Sequence, residues 1–472
     1  MTLLILLTLL GAGPTLAGRR APAPAAPSLE EGAAQLMNDA LLADEAWGEL
    51  RYLCDHIGHR LAGSVGLEQA VAWGARELEA DGLGVTLEPV QVPVWIRGEE
   101  RVELLAPLER RLDVLTLGGS VGTPPGGIEG EVVVVGSFDE LEERGAEAAG
   151  KIVLFDDPWV DYGQAVSYRG RGAAAAAKQG AIAALVRSPT PISLGTPHTG
   201  GMRYEEGVPE IPAVAVTLED AAWMRRLAAN GEAVRVRLQL GARREGEAAS
   251  HNVVGQIEGR EHPEQVVILA CHLDSWDVGQ GAHDDGAGCV AAMEAGRLLA
   301  AMPVAPRRSV RVVLYANEEF GLSGGKAYAA AHQDELGQIV AAVEADTGAG
   351  QPLGFRVDMR AADSGERDEA LAAQVVAALQ ASMALLQPID ATELEISWSG
   401  ADISPLVKLG VPGLGLKHDT SGYWPIHHTR ADTFDKIDPA LLARNVAAMT
   451  VMGWILAEQP EPLPRSQVPP EQ

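Results

Sequence analysis

Three nearly continuous apolar runs in the second half of the chain are its clearest pattern. They cover residues 264–271, 309–315 and 339–343, and each is short and rich in β-branched side chains. Runs of this length without polar alternation are typical of buried parallel strands. The sequence therefore predicts an α/β fold built around a largely buried sheet.

The pattern also divides the chain into parts. Two helical patterns and one strand pattern fill the region before residue 115. A Gly/Pro-rich connector at 118–127 leads into seven short, alternating strand and helix patterns, after which further strands and a final helix from Asp438 to about Ala457 follow. We expect a larger α/β domain in two parts, 30–115 and 246–458, with a smaller α/β module at 116–245 inserted between them.

Both ends of the chain differ from these domains. Residues 2–10 are apolar and lead into the small-residue exit Thr15-Leu16-Ala17, which is typical of a signal peptide, although no basic residue precedes the run. The run is too short to span a bilayer comfortably, so cleavage near Ala17 is favoured over a retained anchor. We expect an exported protein, secreted or periplasmic, without stable membrane insertion. The signal peptide would cover 1–17, a flexible Ala/Pro-rich lead-in 18–29, and a disordered Pro-rich tail 459–472.

The composition describes a large acidic chain. Its 472 residues carry a net charge of -28, and 47% of them are hydrophobic. That charge argues against nucleic acid and anionic membrane surfaces as partners. The three cysteines, Cys54, Cys271 and Cys289, are an odd number and give no complete disulfide framework. We interpret Cys271 and Cys289 as small core residues, one ending a buried strand and one within an Ala-rich helix.

Residue types that bind metal ions follow each of the three apolar runs. His272 and Asp274 come after the first, Glu318 and Glu319 after the second, and Asp346 after the third. In open α/β sheets, ligands bind outside the carboxyl ends of the parallel strands. Because His, Glu and Asp residues follow three such strands, we expect them to lie at one edge of the sheet and form a single site. Two later pairs complete the set, Asp284-Asp285 and His427-His428.

These residue types favour zinc. Imidazole nitrogen and carboxylate oxygen both bind zinc at about 2.0 to 2.2 Å. Two histidines and three carboxylates exceed one tetrahedral shell, but they fit two ions that share a bridging carboxylate. A spare glutamate beside a ligand glutamate would then serve as general base for the attacking water. We therefore expect two Zn²⁺ per chain and hydrolytic chemistry.

The motifs resemble those of the co-catalytic zinc aminopeptidases and glutamate carboxypeptidases. The likeness is carried by His272 to Gly286, Glu318-Glu319, Glu344 to Asp346 and His427 to Thr433, and extends to 122–126, 137–141, 197–200 and 410–413. The resemblance implies a zinc-peptidase three-layer αβα sandwich with a mixed central sheet and an inserted, smaller α/β protease-associated domain. It also implies short peptide substrates, above all unblocked dipeptides, and a homodimer.

The resemblance assigns a role to each member of the set. The terminal zinc ligands correspond to His272, Glu319, Asp346 and His428, and the bridging carboxylate to Asp284. The bridge is Asp284 rather than Asp285 because the family places it four residues before the glycine that opens the next helix, here Gly288.

Three further residues receive supporting or catalytic roles. Asp285 would follow the bridge with a cis peptide bond. Asp274 would hydrogen-bond the His272 ring and fix its tautomer. Glu318 would take a proton from the attacking water and return it to the leaving amine.

The choice between the paired histidines also follows the family pattern. The family ligand precedes Thr or Ser and lies four residues before an Asp, which selects His428 because Thr429 and Asp432 follow it. His427 then stands where some relatives carry a tyrosine that stabilises the tetrahedral intermediate. We hypothesise that the His427 ring donates a proton in that role, with packing in the loop as the alternative.

Three residues are candidates for contacting the substrate. Asp402 is a candidate for binding the amino group, with a helix N-cap as the alternative. Trp276 and Tyr423 are candidate pocket walls, with core aromatic residues as the alternative.

Other functions of the same fold remain open on the sequence. One is a broad-specificity zinc aminopeptidase acting on longer peptides, and another is a single-zinc acyltransferase of the glutaminyl cyclase type. A non-catalytic, receptor-like protein is the third, and the presence of all five ligands and the base argues against it.

Overall fold

The computed structural model describes residues 25–466, which form two eight-stranded sheets with helices around them. The helices are α1 (Leu29–Leu42), α2 (Glu45–Tyr52), α3 (Val65–Ala80), α4 (Phe138–Glu143), α5 (Gly145–Ala148), α6 (Tyr162–Lys178), α7 (Leu218–Ala229), α8 (Ala287–Ala300), α9 (Ser323–Ala331), α10 (Glu369–Leu379), α11 (Ser404–Lys408) and α12 (Pro439–Glu458). Short turns of other helix types include Leu53–Ile57, Ala282–Gly286 and Ser382–Ile389.

The strands alternate with these helices along the chain. They are β1 (Gly84–Ile96), β2 (Glu100–Ala106), β3 (Arg110–Leu112), β4 (Val114–Thr116), β5 (Ile128–Val135), β6 (Ile152–Phe155), β7 (Ala183–Arg187), β8 (Ala213–Val216), β9 (Arg235–Leu240), β10 (Arg243–Ile257), β11 (His262–His272), β12 (Arg308–Tyr315), β13 (Ile339–Glu344), β14 (Pro352–Asp358), β15 (Glu393–Ile396) and β16 (Gly413–His418).

The first sheet has the strand order β1-β10-β12-β11-β13-β16-β14-β15 and is mixed. Its central strands β12, β11, β13 and β16 run parallel, whereas β1, β10 and β14 make antiparallel pairs. The three apolar runs predicted as buried parallel strands are β11, β12 and β13. Because these strands are parallel, their carboxyl ends open on the same edge of the sheet.

Both faces of this sheet are covered by helices, which gives three layers. Along β11, Val267 and Leu269 pack into a core with α1, α8 and α12. The alternate residues Val266 and Ile268 pack into a second core with α9 and α11. Successive side chains of a strand point to opposite faces, so one continuous apolar run fills both cores.

The second sheet has the order β3-β2-β9-β5-β6-β7-β8-β4. Its strands lie between Glu100 and Leu240, so the predicted boundary between residues 115 and 116 is wrong. The chain turns out of β1 at Gly98, whose φ of +70° suits glycine, and returns beside it at Gly241. The sequence analysis gave one strand pattern in this region and no strand at β2, so it did not predict the crossing into a second sheet.

The predictions for the two termini need correction where the structure describes them. Ser28 and Glu31 form a capping box that starts α1 at Leu29, so the end of the lead-in is ordered. Residues 459–466 are also ordered, because Leu463 is buried and Arg308 donates to the carbonyls of Gln459 (2.6 Å) and Pro460 (3.1 Å). The signal-peptide prediction for 1–17 lies outside the described residues, as do 18–24 and 467–472.

Among the unbroken helices of residues 25–466, only α12 is long and apolar enough to cross a membrane. It lies in the protein core, where Trp454 and its neighbours pack against α1 and α8. Its apolar composition is therefore accounted for by burial inside the protein.

Candidate metal centre

The carboxyl edge of the first sheet gathers the metal-type residues. His272 is the last residue of β11, Glu318 and Glu319 follow β12 closely, and Asp346 lies two residues beyond β13. The turn at 282–286 brings in Asp284, and the segment after β16 brings in His427 and His428. The placement predicted from strand ends is thus the arrangement that the fold produces.

The donor atoms form two groups that share Asp284. In the first, His272 Nε2 lies 3.3 Å from Asp284 Oδ1 and 3.3 Å from Asp346 Oδ1. In the second, His428 Nε2 lies 3.1 Å from Asp284 Oδ2 and 3.1 Å from Glu319 Oε2. One oxygen of Asp284 faces each histidine, which is the geometry of a bridging carboxylate.

Burial and charge make this cluster unusual. Burial by itself raises the pKa of the Asp284 carboxyl, but hydrogen bonds from His272 and His428 hold it well below its usual range. Burial raises the pKa of Asp346 and Glu319, and the negative charge of Asp284 raises both further. Glu319 Oε1 is buried without a hydrogen-bond partner. A buried acidic cluster with an unpartnered oxygen is chemically suited to a cation.

Asp274 supports the site in a different way from the one predicted. Its backbone carbonyl lies 3.1 Å from His272 Nδ1, whereas its nearest carboxylate oxygen is 3.6 Å away, beyond normal hydrogen-bond length. The carboxylate instead accepts from the backbone N–H groups of Glu318 (2.9 Å) and Glu319 (3.3 Å). Asp274 therefore orients the ring through its carbonyl and fixes the β12 loop through its side chain.

Asp285 also has structural contacts. The peptide bond between Asp284 and Asp285 is cis, as the resemblance implied. Asp285 accepts hydrogen bonds from the backbone N–H groups of His272 and Gly288, both at 3.2 Å. Its side chain thereby joins the end of β11 to the start of α8.

Cys271 and Cys289 are buried core residues, as interpreted, but the sequence did not predict that they pair. Cys271 and Cys289 form a disulfide, and Cys54 is the free, buried cysteine among the described residues. The sequence did not reveal this pair, because an odd number of cysteines does not show which of them are bonded. Cys271 lies at the end of β11 and Cys289 in α8, and the fold brings them together. The disulfide joins the two elements that flank His272 and Asp284.

Comparison with known proteins identifies the family. The model of peptidase family M28 matches residues 252–452, which include every residue of the two donor groups. Carboxypeptidase Q of Xenopus laevis is 42% identical over 423 residues, covering 89% of this chain and 88% of that protein. The human carboxypeptidase Q is 40% identical, with coverage of 90% and 87%. The chain belongs to peptidase family M28. It is accordingly a metallopeptidase.

Solved M28 structures support the same assignment. A peptidase M28 precursor from Shewanella amazonensis superposes with a TM-score of 0.87 at 36% identity, covering 94% of this chain and 99% of that one. The zinc aminopeptidase of Bacillus subtilis gives a TM-score of 0.63 at 21% identity, covering 89% and 96%, which is a likeness of fold. The mixed α/β architecture of this M28 peptidase is therefore that of its family.

A cavity of about 400 Å³ opens onto the donor groups of the M28 peptidase. Asp284, Glu318, Glu319, Asp346 and His428 line it, and so do two of the proposed substrate-site residues, Tyr423 and His427. Its walls also include aromatic residues that the sequence did not single out, namely Tyr162, Trp398 and Trp424.

Two candidate substrate contacts lie outside this cavity. Trp276 is buried against Phe320 and Gly118, so it belongs to a small aromatic core. Asp402 is fully buried with neither carboxylate oxygen hydrogen-bonded, and Ile403 rather than Asp402 precedes α11 as its N-cap. Neither the amino-binding role nor the N-cap alternative for Asp402 matches its position.

His427 lies in the cavity wall among aromatic rings. Its ring is packed against those of Tyr162, Tyr423 and Trp424, and its Nε2 is buried without a hydrogen-bond partner. Burial and the neighbouring His428 hold the pKa of His427 well below its usual range. The ring is thus neutral, with one N–H to donate, and its catalytic role stays a prediction.

The second sheet contributes residues that the sequence did not assign. Thr199 donates its backbone N–H to the carbonyl of His428 (2.9 Å), and the Thr199 carbonyl lies 3.3 Å from His428 Nδ1. With a metal ion bound at Nε2, Nδ1 would carry the hydrogen and donate it to the Thr199 carbonyl. The sequence analysis listed the segment 197–200 as part of the family resemblance and gave it no role. Nothing in the sequence showed that it lies beside His428.

Proposed function

We propose that this M28 peptidase is a di-zinc exopeptidase that hydrolyses the amide bond of short peptides, above all unblocked dipeptides. The observation that carries the proposal is the pair of donor groups that share Asp284. Each group has a histidine, a carboxylate of its own and one oxygen of the shared aspartate.

The residues present fit zinc. Imidazole and carboxylate are its usual ligands, and three protein ligands per ion leave a position free for a catalytic site. The unpartnered Glu319 Oε1 and the concentration of buried carboxylates supply the negative charge that two divalent ions require. When bound, the two ions would polarise the scissile carbonyl and lower the pKa of the attacking water.

Glu318 would act as general base and then as general acid. It lines the cavity but belongs to neither donor group, so its carboxylate is available for proton transfer. Burial and the nearby carboxylates of Glu319 and Asp346 raise its pKa well above the usual range of a glutamate. A base of raised pKa accepts a proton from water more readily and returns it to the leaving amine.

The resemblance to carboxypeptidase Q supports a short, unblocked substrate. Residues from the part of the chain that carries the second sheet line the cavity as well, including Arg169 of α6 and Met202. Its acidic wall suits an ammonium group. Tyr423 and Trp424 offer apolar surface for side chains.

Three broader expectations belong with this proposal. The Cys271–Cys289 disulfide supports export, because disulfides persist in oxidising compartments. The second sheet with its helices would be the inserted protease-associated domain. The homodimer is supported by the resemblance alone.

The proposal is tested by substrate length and metal content together. Purified protein would be offered an unblocked dipeptide, its N-acetylated form and a tetrapeptide, while zinc is measured by elemental analysis. We expect about two zinc ions per chain and preferential cleavage of the free dipeptide. Equal turnover of the tetrapeptide would indicate an aminopeptidase instead, and about one zinc ion would favour the cyclase type.

The adjacent glutamates provide a matched pair for the mechanism. Glu318→Gln should lower kcat by at least about 100-fold with zinc retained, because it removes the base and leaves the ligands. Glu319→Gln should instead lower zinc content. An active Glu318→Gln enzyme would contradict the role of Glu318 as general base.

A further inference from the structure

The backbone carbonyls around Asp284 are held by the guanidinium of Arg60. We call residues 280–284 the bridging turn, because they end in the aspartate that the two donor groups share. Arg60 lies between α2 and α3 and is fully buried. Among the described residues, its side chain donates to four backbone carbonyls, those of Gly58 (2.8 Å), Leu273 (2.7 Å), Gln280 (2.7 Å) and Gly281 (3.0 Å). Two of these carbonyls belong to the bridging turn, and a third belongs to the residue after His272.

The N–H groups of the same turn are held by Asp432. This residue is 3% exposed and lies four residues after His428. Its carboxylate accepts from the backbone N–H groups of Ala282 (3.1 Å), His283 (2.8 Å) and Asp284 (3.2 Å), and its carbonyl accepts from that of Gln280 (2.7 Å). The segment that carries His428 is therefore tied to the bridging turn by four hydrogen bonds.

Glycines let the backbone come this close to both residues. Gly281 has a φ of +61°, and a Cβ at that position would lie 2.8 Å from Arg60 Nη2. A Cβ on Gly279 would lie 2.8 Å from the carbonyl oxygen of Asp432. A side chain at either position would therefore displace a residue that holds the turn.

The charge of the site opposes the position of this turn until cations bind. Asp284 lies in one donor group with Asp346 and in the other with Glu319. These buried carboxylates repel one another, so in the metal-free protein the turn is pushed outward. Hydrogen bonds from an ionised donor are roughly twice as strong as those between neutral groups. The four bonds of the Arg60 guanidinium are therefore well suited to resist this repulsion.

We propose that Arg60 and Asp432 are positioning residues that hold the shared carboxylate in place for two ions; this inference rests on the proposed function. Arg60 joins the bridging turn to the residue that follows His272, the histidine of the first donor group. Asp432 joins the same turn to the segment of His428, the histidine of the second group. Each residue thus fixes Asp284 relative to the histidine of one donor group.

Removal of Arg60 should weaken the binding of one zinc ion. Arg60→Met keeps about the same length of side chain and removes every donor. We expect it to lower the affinity for one of the two ions by about 10- to 100-fold, the range for residues that hold metal ligands in place. Arg60→Lys keeps the charge without the planar fork and should recover only part of that affinity. Calorimetric titration of the metal-free protein with zinc measures these affinities without reference to turnover.

Arg308→Met is the matched control. Arg308 is 1% exposed and also donates to backbone carbonyls, among them those of Gln459 and Pro460. It begins β12, whose other end leads to Glu318 and Glu319. Its removal should lower stability as the loss of Arg60 does, while both zinc ions bind as in the wild type.

Asp432 provides a second test that does not depend on the folding of the Arg60 variants. Asp432→Asn keeps the size of the side chain but turns an NH₂ group toward the backbone N–H groups, so acceptors are lost. NMR of the cadmium-loaded wild type should show one resonance for each donor group. Asp432→Asn and Arg60→Met should each weaken one resonance, and not the same one.

The outcomes separate the two proposals. A wild type that binds about one zinc ion would overturn the di-zinc function itself. Wild-type affinity for both ions in Arg60→Met and Asp432→Asn would overturn the positioning role alone. So would an equal loss of zinc in Arg308→Met, which would make the effect one of stability, or a full recovery by Arg60→Lys, which would leave Arg60 as a counter-charge. Loss of the same cadmium resonance in both variants would also contradict the proposal.

Discussion

At the scale of single residues, Asp284 and Asp285 have different environments although they are adjacent. Asp284 directs one oxygen toward His272 and one toward His428. Asp285 directs both oxygens toward backbone N–H groups, those of His272 and Gly288. The first side chain is placed to bind ions and the second to hold the backbone that carries them.

Replacing each aspartate by asparagine tests this division. Asp284→Asn should lower the zinc content below two ions per chain, because an amide bridges two cations poorly. Asp285→Asn should keep both ions but lower stability by about 1–3 kcal/mol, since its NH₂ group would face a backbone N–H. Elemental analysis and urea unfolding measure the two effects, and zinc loss confined to Asp285→Asn would contradict the assignment.

The sequence located part of this site through one physical rule. His272, Glu319 and Asp346 follow parallel strands, so their meeting is a consequence of sheet geometry. Arg169 and Thr199 were missed because they belong to the part of the chain that carries the second sheet. No local sequence pattern shows which of its loops and helices face the site. Trp276 and Asp402 do not line the cavity, because a sequence motif does not fix the direction of a side chain.

At the scale of elements, the contact between α1 and α12 joins the two ends of the described chain. The Trp454 indole lies directly over Gly32 and donates to the Leu29 carbonyl at 3.0 Å. A Cβ on Gly32 would lie 2.2 Å from Trp454 Cζ2. The glycine is thus required by close packing rather than by its backbone conformation.

Two glycine substitutions in neighbouring helices should therefore have opposite effects. Gly32→Ala should lower stability by about 1–3 kcal/mol, because it overpacks the contact with Trp454. Gly48→Ala in α2 has open space around its Cβ and should raise stability by up to about 1 kcal/mol through helix propensity. Thermal unfolding of both variants measures these changes in stability. A stabilised Gly32→Ala protein would mean that α1 does not pack against Trp454 as described.

Elements with a continuous apolar run were predicted well, and the break between the sheets was not. The runs that became β11, β12 and β13 are short, apolar and bounded by polar loops. In contrast, β2 alternates polar and apolar residues much as the end of β1 does, and its partner β9 lies more than a hundred residues away. Sheet membership depends on such distant pairings, which a local pattern does not contain.

At the scale of the whole molecule, Arg97 joins the two sheets. It follows β1 and is buried, and its Nε donates to Asp277 Oδ2 at 2.9 Å in the loop after β11. It also contacts the Thr116 carbonyl and the Thr199 hydroxyl (3.3 Å) of the second sheet. One side chain therefore connects the metal-site loop with the segment that orients His428.

Removal of this side chain should affect stability and site together. Arg97→Met should lower the free energy of unfolding by about 3 kcal/mol, because Asp277 loses its buried partner. It should also weaken zinc binding, since the Thr199 carbonyl is no longer fixed behind His428. Arg101→Met, in an exposed pair with Glu103, is the control and should be nearly neutral. Normal zinc affinity in a destabilised Arg97→Met protein would show that the two sheets are not coupled at the site.

The cavity beside the donor groups also affects the release of product after bond cleavage. Hydrolysis of one peptide leaves two products in a space of about 400 Å³. Both products must leave before the next peptide enters, so their departure would limit each cycle. Such an enzyme slows as the products that it releases accumulate around it.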